Sequence, residues 1–328
     1  MSIYKRNDYK KRLRKKRKRR KKGFILIITF FIALVTLFGG KLISKQENEE
    51  INVGNSGLEK QEKEEINVGN SDLEKKEEVK IPDNSGYLTL KDDPNADDAK
   101  IVSENTKGII TGTKSYPVRN DGKKVVYLTF DDGPSTTNTP KVLDILDEYN
   151  VKATFFVLGK SLDKNEEARE ILKEEVKRGH AIGNHTYSHD YSQLYPNRTI
   201  NVDKVLEEIN KTNDILKDIL GKDFSTRVIR FPGGYWSWDG REPMRDKMIE
   251  YGYCNIDWNA LNGDAEGKKK NADQLFNVTK DTVERLGSEA DSIVILMHDT
   301  YGKEETVKAL PKVIEYLKAN GYEFRTIK

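Results

Sequence analysis

Hydrophobic positions follow three regimes along the chain. Between residues 124 and 328, short runs rich in β-branched and aromatic residues alternate with longer stretches whose apolar positions recur every three or four residues. The runs 125–130, 153–157, 228–231, 253–257, 292–297 and 322–327 predict strands. The stretches 139–149, 165–178, 201–220, 240–251, 271–286 and 304–320 predict helices. Val202, Val205, Leu206, Ile209 and Leu216 show the spacing best. Strands alternating with helices over about 200 residues predict one domain on a mainly parallel sheet, open or closed into a barrel.

Upstream the pattern changes twice. Phe24 to Ile43 is almost wholly apolar, with Lys41 its one charge. As a helix its length matches the roughly 30 Å of a bilayer core, so residues 23–43 predict a single transmembrane anchor. A signal peptide would have a shorter apolar region and a small-residue cleavage site. Residues 44–80 are dominated by Glu, Lys and Asn and repeat one pattern, from Glu49 to Lys60 and again from Glu64 to Lys75. Each copy offers only Ile, Val and Leu, too little to bury a core, which predicts a disordered linker. Residues 81–123, with Pro82, Pro94 and Pro117 among polar neighbours, form a transitional segment before the domain at 124–328.

Composition excludes some classes, and charge adds a topology. A charged fraction of 34% and a mean hydropathy of −0.75 exclude a multi-span membrane protein. A single Cys excludes an intramolecular disulfide and any Cys-only zinc site. The net charge of +3 conceals segregation: fourteen of the 57 Lys+Arg but one of the 54 Asp+Glu fall in residues 1–22, leaving +13 there and −10 elsewhere. A basic flank beside an apolar span predicts a cytoplasmic tail at 1–22, membrane contact through 24–43, and an extracellular body at the cell membrane. The Lys/Arg run alone would suit a nucleic-acid-binding arm. Beside an apolar twenty-mer it predicts no nucleic-acid partner, and no protein partner is evident.

Candidate chemistry gathers at strand ends. His180, His185 and His189 lie within ten residues, and His298 ends the apolar run from Ile293. Val125–Phe130 runs into Asp131 and Asp132, and Val228–Phe231 into Pro232-Gly233-Gly234. Ligands of α/β sheets bind at the carboxyl ends of strands, so polar residues repeated there predict one convergent site. The spacing of His185 and His189 puts two imidazoles on one face if the turn is helical. With one carboxylate they would make a mononuclear metal site with an open position. Asp131-Asp132 could be a simple strand-ending turn. Two carboxylates after an apolar strand are costly, however, unless positive charge lies between them; a metal on one would leave the other as a base.

Thr129-Phe-Asp-Asp-Gly-Pro-Ser135, His185-Thr-Tyr-Ser-His189, Arg230-Phe-Pro-Gly-Gly234 and Leu296-Met-His298 resemble, in order, four signatures of polysaccharide deacetylases of the NodB-homology, carbohydrate-esterase type. The resemblance covers roughly residues 125–328. It implies a distorted (β/α) barrel holding a divalent metal, Zn²⁺ by preference with Co²⁺ or Ni²⁺ as alternatives. Asp132, His185 and His189 would be its ligands, Asp131 the general base, Arg230 the group orienting that base, and His298 the general acid. The stretch Trp258 to Ala265 resembles the motif whose Asp tunes the acid, which makes Asp264 the candidate and Asp257 the second. Gly233, Trp258 and Leu296 would contact substrate, with the Gly233 N–H facing the oxyanion. Ala265 and Gly233 depart from the family's Trp and Tyr, which bears on the sugar groove.

With the anchor, the resemblance implies N-deacetylation of a cell-wall glycan, peptidoglycan N-acetylglucosamine above all. Chitooligosaccharide deacetylation and acetylxylan de-esterification are alternatives, and a non-catalytic wall-binding module is the alternative of a different class. Among the remaining residues, His180 and Cys254 are expected to be structural and Asp299 a loop residue. Tyr235, Trp236 and Trp238 are open to stacking on sugar or to packing alone.

Overall fold

The computed structural model describes residues 88–328. The basic tail, the predicted anchor, the repeats and the start of the transitional segment lie outside the described residues. Among the described residues no helix is long and apolar enough to cross a membrane.

Ten strands and nine helices make up this region. The strands are β1 (Ala96–Asp97), β2 (Lys124–Asp131), β3 (Thr154–Val157), β4 (Ala181–Asn184), β5 (Val228–Ile229), β6 (Cys254–Asn255), β7 (Ala260–Leu261), β8 (Ser292–His298), β9 (Tyr322–Phe324) and β10 (Thr326–Ile327). The helices are α1 (Ala99–Ile110), α2 (Thr139–Glu148), α3 (Gly159–Leu162), α4 (Glu166–Lys177), α5 (Tyr191–Leu194), α6 (Val202–Leu220), α7 (Arg241–Tyr251), α8 (Ala272–Glu284) and α9 (Glu304–Ala319). The main sheet is parallel, in the order β6-β5-β4-β3-β2-β8-β7, and β9 takes the stretch of β2 from Lys124 to Val126 that β3 leaves free.

β2 and β8 form its spine, in register from Val125↔Ser292 to Asp131↔His298. Alternation sends Val126, Leu128 and Phe130 outward, where they pack with Ile293, Ile295 and Met297 and the apolar faces of α2, α4 and α9. Val125, Tyr127 and Val294 point inward with Phe156, Val228 and Ile256. At the last step of this inner face the sheet presents Asp131 and His298 side by side.

The distorted (β/α) barrel implied above takes the form of a curled half-barrel on a parallel sheet. β6 and β7 do not pair with each other. Parallel neighbours need a crossover of about a dozen residues or more, and only four residues, 256–259, separate these two. That short segment instead carries the chain across the seam: Ile256 N–H donates to Ile229 O and Asn259 N–H to Val294 O.

The stretch expected to be transitional contains α1. Asp98 caps it, its carboxylate accepting the Lys100 N–H. Ala99 and Val102 are buried in the inner core. The following loop is tied down where Asp291 accepts the N–H groups of Val118 and Arg119.

Candidate active site

The two adjacent carboxylates are turned apart by the backbone. Asp131 ends β2 with its side chain inward; Asp132 takes a left-handed conformation, φ 70°, which Asp tolerates better than most residues. Gly133 follows because there is no room for a side chain. A Cβ there would lie 2.5 Å from the Asp299 carboxylate.

The His185–His189 segment is not helical, so helical periodicity is not what brings its two imidazoles together. His185 continues from β4 into an irregular loop in which Thr186 (φ 67°) and His189 (φ 58°) are both left-handed. The imidazoles still converge, ring centroids 5.2 Å apart, because the loop is held from outside. Asn184 Oδ1 accepts the Thr186 N–H. Glu208, buried on α6, accepts the N–H groups of Tyr187 and Ser188 and the Ser188 hydroxyl. Outer groups of this kind are typically worth 10–100-fold in metal affinity. Glu208→Ala should therefore weaken metal binding by about that factor, measured by competition with a chromogenic chelator.

Asp132, His185 and His189 place ligand atoms within 4.8 Å of one another. Asp132 Oδ1 lies 3.5 Å from His185 Nε2 and 3.6 Å from His189 Nε2. It is buried and accepts no hydrogen bond. His185 Nδ1 meets the Arg230 carbonyl at 2.8 Å, which fixes the proton on Nδ1 and leaves the Nε2 lone pair facing Asp132. Burial holds His185 down to about 3, so it is the neutral imidazole that a cation needs. An unsatisfied carboxylate oxygen facing two imidazole nitrogens fits a divalent metal.

Asp131 and His298 flank this cluster. Asp131 Oδ1 accepts a 2.7 Å hydrogen bond from Arg230 Nη1, while Oδ2 lies 3.7 Å from His185 Nε2. Burial pushes the Asp131 carboxyl up; Arg230 and the nearby histidines oppose it. Arg230 is itself fixed, with Nε on Ile256 O, Nη1 also on Thr129 Oγ1, and its guanidinium 4.0 Å from the Phe156 ring centroid. His298 Nδ1 pairs with Asp264 Oδ1 at 2.7 Å, and Nε2 lies 3.9 Å from Asp132 Oδ2. Burial alone would lower the His298 imidazole, but the Asp264 hydrogen bond and charge, with Asp131 and Asp132, raise it. Asp264 is kept low against its burial by His298, Lys303 and Thr306.

Asp264 is the expected partner of His298, with Asp257 second. The structure sets Asp264 on His298; Asp257 instead accepts the Tyr235 N–H. Gly233 lies exposed on the turn after β5 at φ 74°, Trp258 borders Gly234, and Leu296 shares the inward face of β8 with His298. His180 is buried, accepts the Ala153 N–H on Nδ1 and packs edge-on to Phe155, a structural residue. Cys254 is half-buried rather than fully enclosed. Asp299 is a loop residue just past β8, as expected; it is buried, pushed up to about 7, and bonded by Thr139 Oγ1. Trp238 packs, its Nε1–H on Pro232 O and its ring stacked 4.1 Å from Tyr195.

A carboxylate and an imidazole of opposed character, side by side at strand carboxyl ends and both within 4 Å of a ligand cluster, define a hydrolytic site on an α/β half-barrel. Residues 118–252 match the family model for polysaccharide deacetylase. A peptidoglycan-N-acetylglucosamine deacetylase of Bacillus cereus is 32% identical over 237 residues, 69% of this chain and 77% of that protein. The structure of a Streptococcus mutans CE4 esterase superposes with a TM-score of 0.63 at 35% identity, covering 71% of this chain and 92% of that one. The catalytic domain of a peptidoglycan N-acetylglucosamine deacetylase from Eubacterium rectale gives 0.55 at 32%, covering 67% and 94%. The chain belongs to the polysaccharide deacetylase family, hydrolases of amide or ester bonds in acetylated polysaccharides.

Proposed function

We propose that the protein removes acetyl groups from N-acetylglucosamine of peptidoglycan by metal-dependent hydrolysis. The observation that carries this reading is the gathering of an Arg230-bound Asp131 and an Asp264-bound His298 against Asp132, His185 and His189, each within 4 Å of a member of that cluster.

Asp132, His185 and His189 would hold a divalent cation, Zn²⁺ by their donor chemistry, supplying a Lewis acid that polarises the acetamide carbonyl and acidifies water. Asp131 Oδ1 is committed to Arg230, so Oδ2 takes the proton from the attacking water. The Gly233 N–H would donate to the developing oxyanion. His298 Nδ1 is committed to Asp264, so its Nε2–H passes a proton to the departing amine. Acetate and a free amino sugar result.

The chemistry needs Asp131 ionised and His298 protonated, so the rate should be bell-shaped in pH. Asp264→Asn removes the carboxylate that raises His298. The imidazole then loses its proton at lower pH, and the alkaline limb of kcat/KM should move acidward while the acid limb stays. An unmoved alkaline limb would assign it to another group.

The anchor at 24–43 and the basic tail support a single-pass protein at the cell membrane, with its catalytic domain outside and within reach of the wall. Mass spectrometry of wall fragments from cells with and without the protein tests this reading. Glucosamine replacing N-acetylglucosamine only when the protein is present is the expected result, and identical fragment profiles would contradict it.

A further inference from the structure

Beside the ligand cluster stands an aromatic side chain that the catalytic scheme leaves unused. Tyr191 opens α5, two residues after His189, and is 44% exposed. Its ring centroid is 5.1 Å from that of His189. Behind it lies a built platform: Trp238 meets it edge-on at 5.2 Å and Tyr195 is tilted at 5.9 Å. Those two rings are buried, 8% and 3% exposed, and stacked on each other. Arg198 covers Trp238 at 5.5 Å while its Nη2 donates to Ser237 O. Asp190 fixes the start of α5 by accepting both the N–H and the hydroxyl of Ser192.

The Tyr191 hydroxyl reaches Gly233. A Cβ on Gly233 would lie 3.0 Å from that hydroxyl and 3.0 Å from the Trp238 ring. The space a side chain at 233 would occupy is therefore filled from the other side of the site, by Tyr191. Its hydroxyl has no hydrogen-bond partner among the described residues. An exposed ring with a buried aromatic backing, one end at a candidate metal ligand and the other at the exposed Gly233 turn, has a face and a polar tip free for a ligand. A pyranose presents the matching chemistry, an apolar C–H face edged by hydroxyls.

We propose that Tyr191 is a specificity-determining residue, the wall on which the sugar unit carrying the acetyl group rests. This rests on the deacetylase reading above. The wall should matter for an N-acetylated glycan and far less for a small acetate ester, which presents an acyl carbon but no sugar face.

The test compares kcat/KM of the full-length wild-type, Tyr191→Ala and Tyr191→Phe proteins, each loaded with Zn²⁺ and assayed for metal content. The substrates are N-acetylglucosamine oligosaccharides and 4-nitrophenyl acetate. Tyr191→Ala should lower the glycan-to-ester ratio about tenfold, chiefly through KM, as expected for about 1.4 kcal/mol of aromatic contact. Tyr191→Phe, which keeps the ring, should restore the ratio to within about threefold of wild type. Equal losses on both substrates, loss of metal from Tyr191→Ala, or a Phe variant as impaired as Ala would overturn the proposal. A wild-type protein that releases no acetate from any glycan would sink the deacetylase reading itself, a distinguishable failure.

Discussion

Asp131→Asn should release acetate about 10²–10⁴-fold more slowly than the wild type while binding metal as well as before. Asparagine keeps the shape of the carboxylate, and its carbonyl can still accept from Arg230 Nη1, but it cannot take a proton. The three ligand atoms come from Asp132, His185 and His189, none of which is altered. The loss should therefore fall on kcat, with metal content and KM little changed. Activity within threefold of wild type would place the base elsewhere. Simultaneous loss of metal would mean that Asp131 is a ligand.

Arg230→Met should destabilise the fold by about 3–5 kcal/mol at neutral pH, the scale for breaking a buried ion pair by removing one member. Arg230 is 1% exposed and Asp131 2%, so water can replace neither partner. Without the guanidinium, the burial that already raises Asp131 acts unopposed on this side. A carboxyl whose folded pKa exceeds its unfolded value binds protons more tightly when folded, so folded stability falls as pH rises through the folded pKa. The destabilisation should thus be smallest in acid and largest above the shifted pKa, in urea unfolding of the chelator-stripped protein. Adding Asp131→Asn to Arg230→Met should recover part of the loss, because no buried charge then remains at that position. A pH-independent loss would indicate that Arg230 acts through packing on Phe156 rather than through charge.

Most of the architecture was legible because strong patterns carried it. The six predicted helices all appear, within a residue or two at most ends. β2 and β8 are long, apolar and buried on both faces, which is what a parallel spine looks like in sequence. What escaped notice was made by context. β4 is Ala-Ile-Gly-Asn, poor in β-formers, and exists because β3 pairs along all of it and β5 at its end. α1 was obscured because its buried face includes Asn105, Thr106 and Gly108, so no apolar stripe marks it.

The candidate site divides in the same way. Strand-end position signalled Asp131, Asp132 and His298, since a parallel sheet delivers its strand ends to one rim, whereas Arg230, inside its predicted strand, was marked only by the family resemblance. The His185–His189 spacing drew attention for a reason the structure corrects: the rings meet through two left-handed residues and outside support, not through helical periodicity. Glu208 had a usable signal, an acid on the face of α6 otherwise marked by Val205, Ile209 and Leu216. Tyr191 had only its closeness to His189 in the chain. Its importance emerges when α5 and the turn at Gly233 meet in space.

Asp131 and His298 are proposed to hydrolyse an amide on a sugar. The most direct measurement of this is the simultaneous release of acetate and appearance of free amine when the purified full-length protein, supplied with Zn²⁺, acts on N-acetylated peptidoglycan glycan strands. Equal amounts of both are expected with the wild type and neither above background with Asp131→Asn. Acetate without amine, or equal activity in the two proteins, would contradict that proposal.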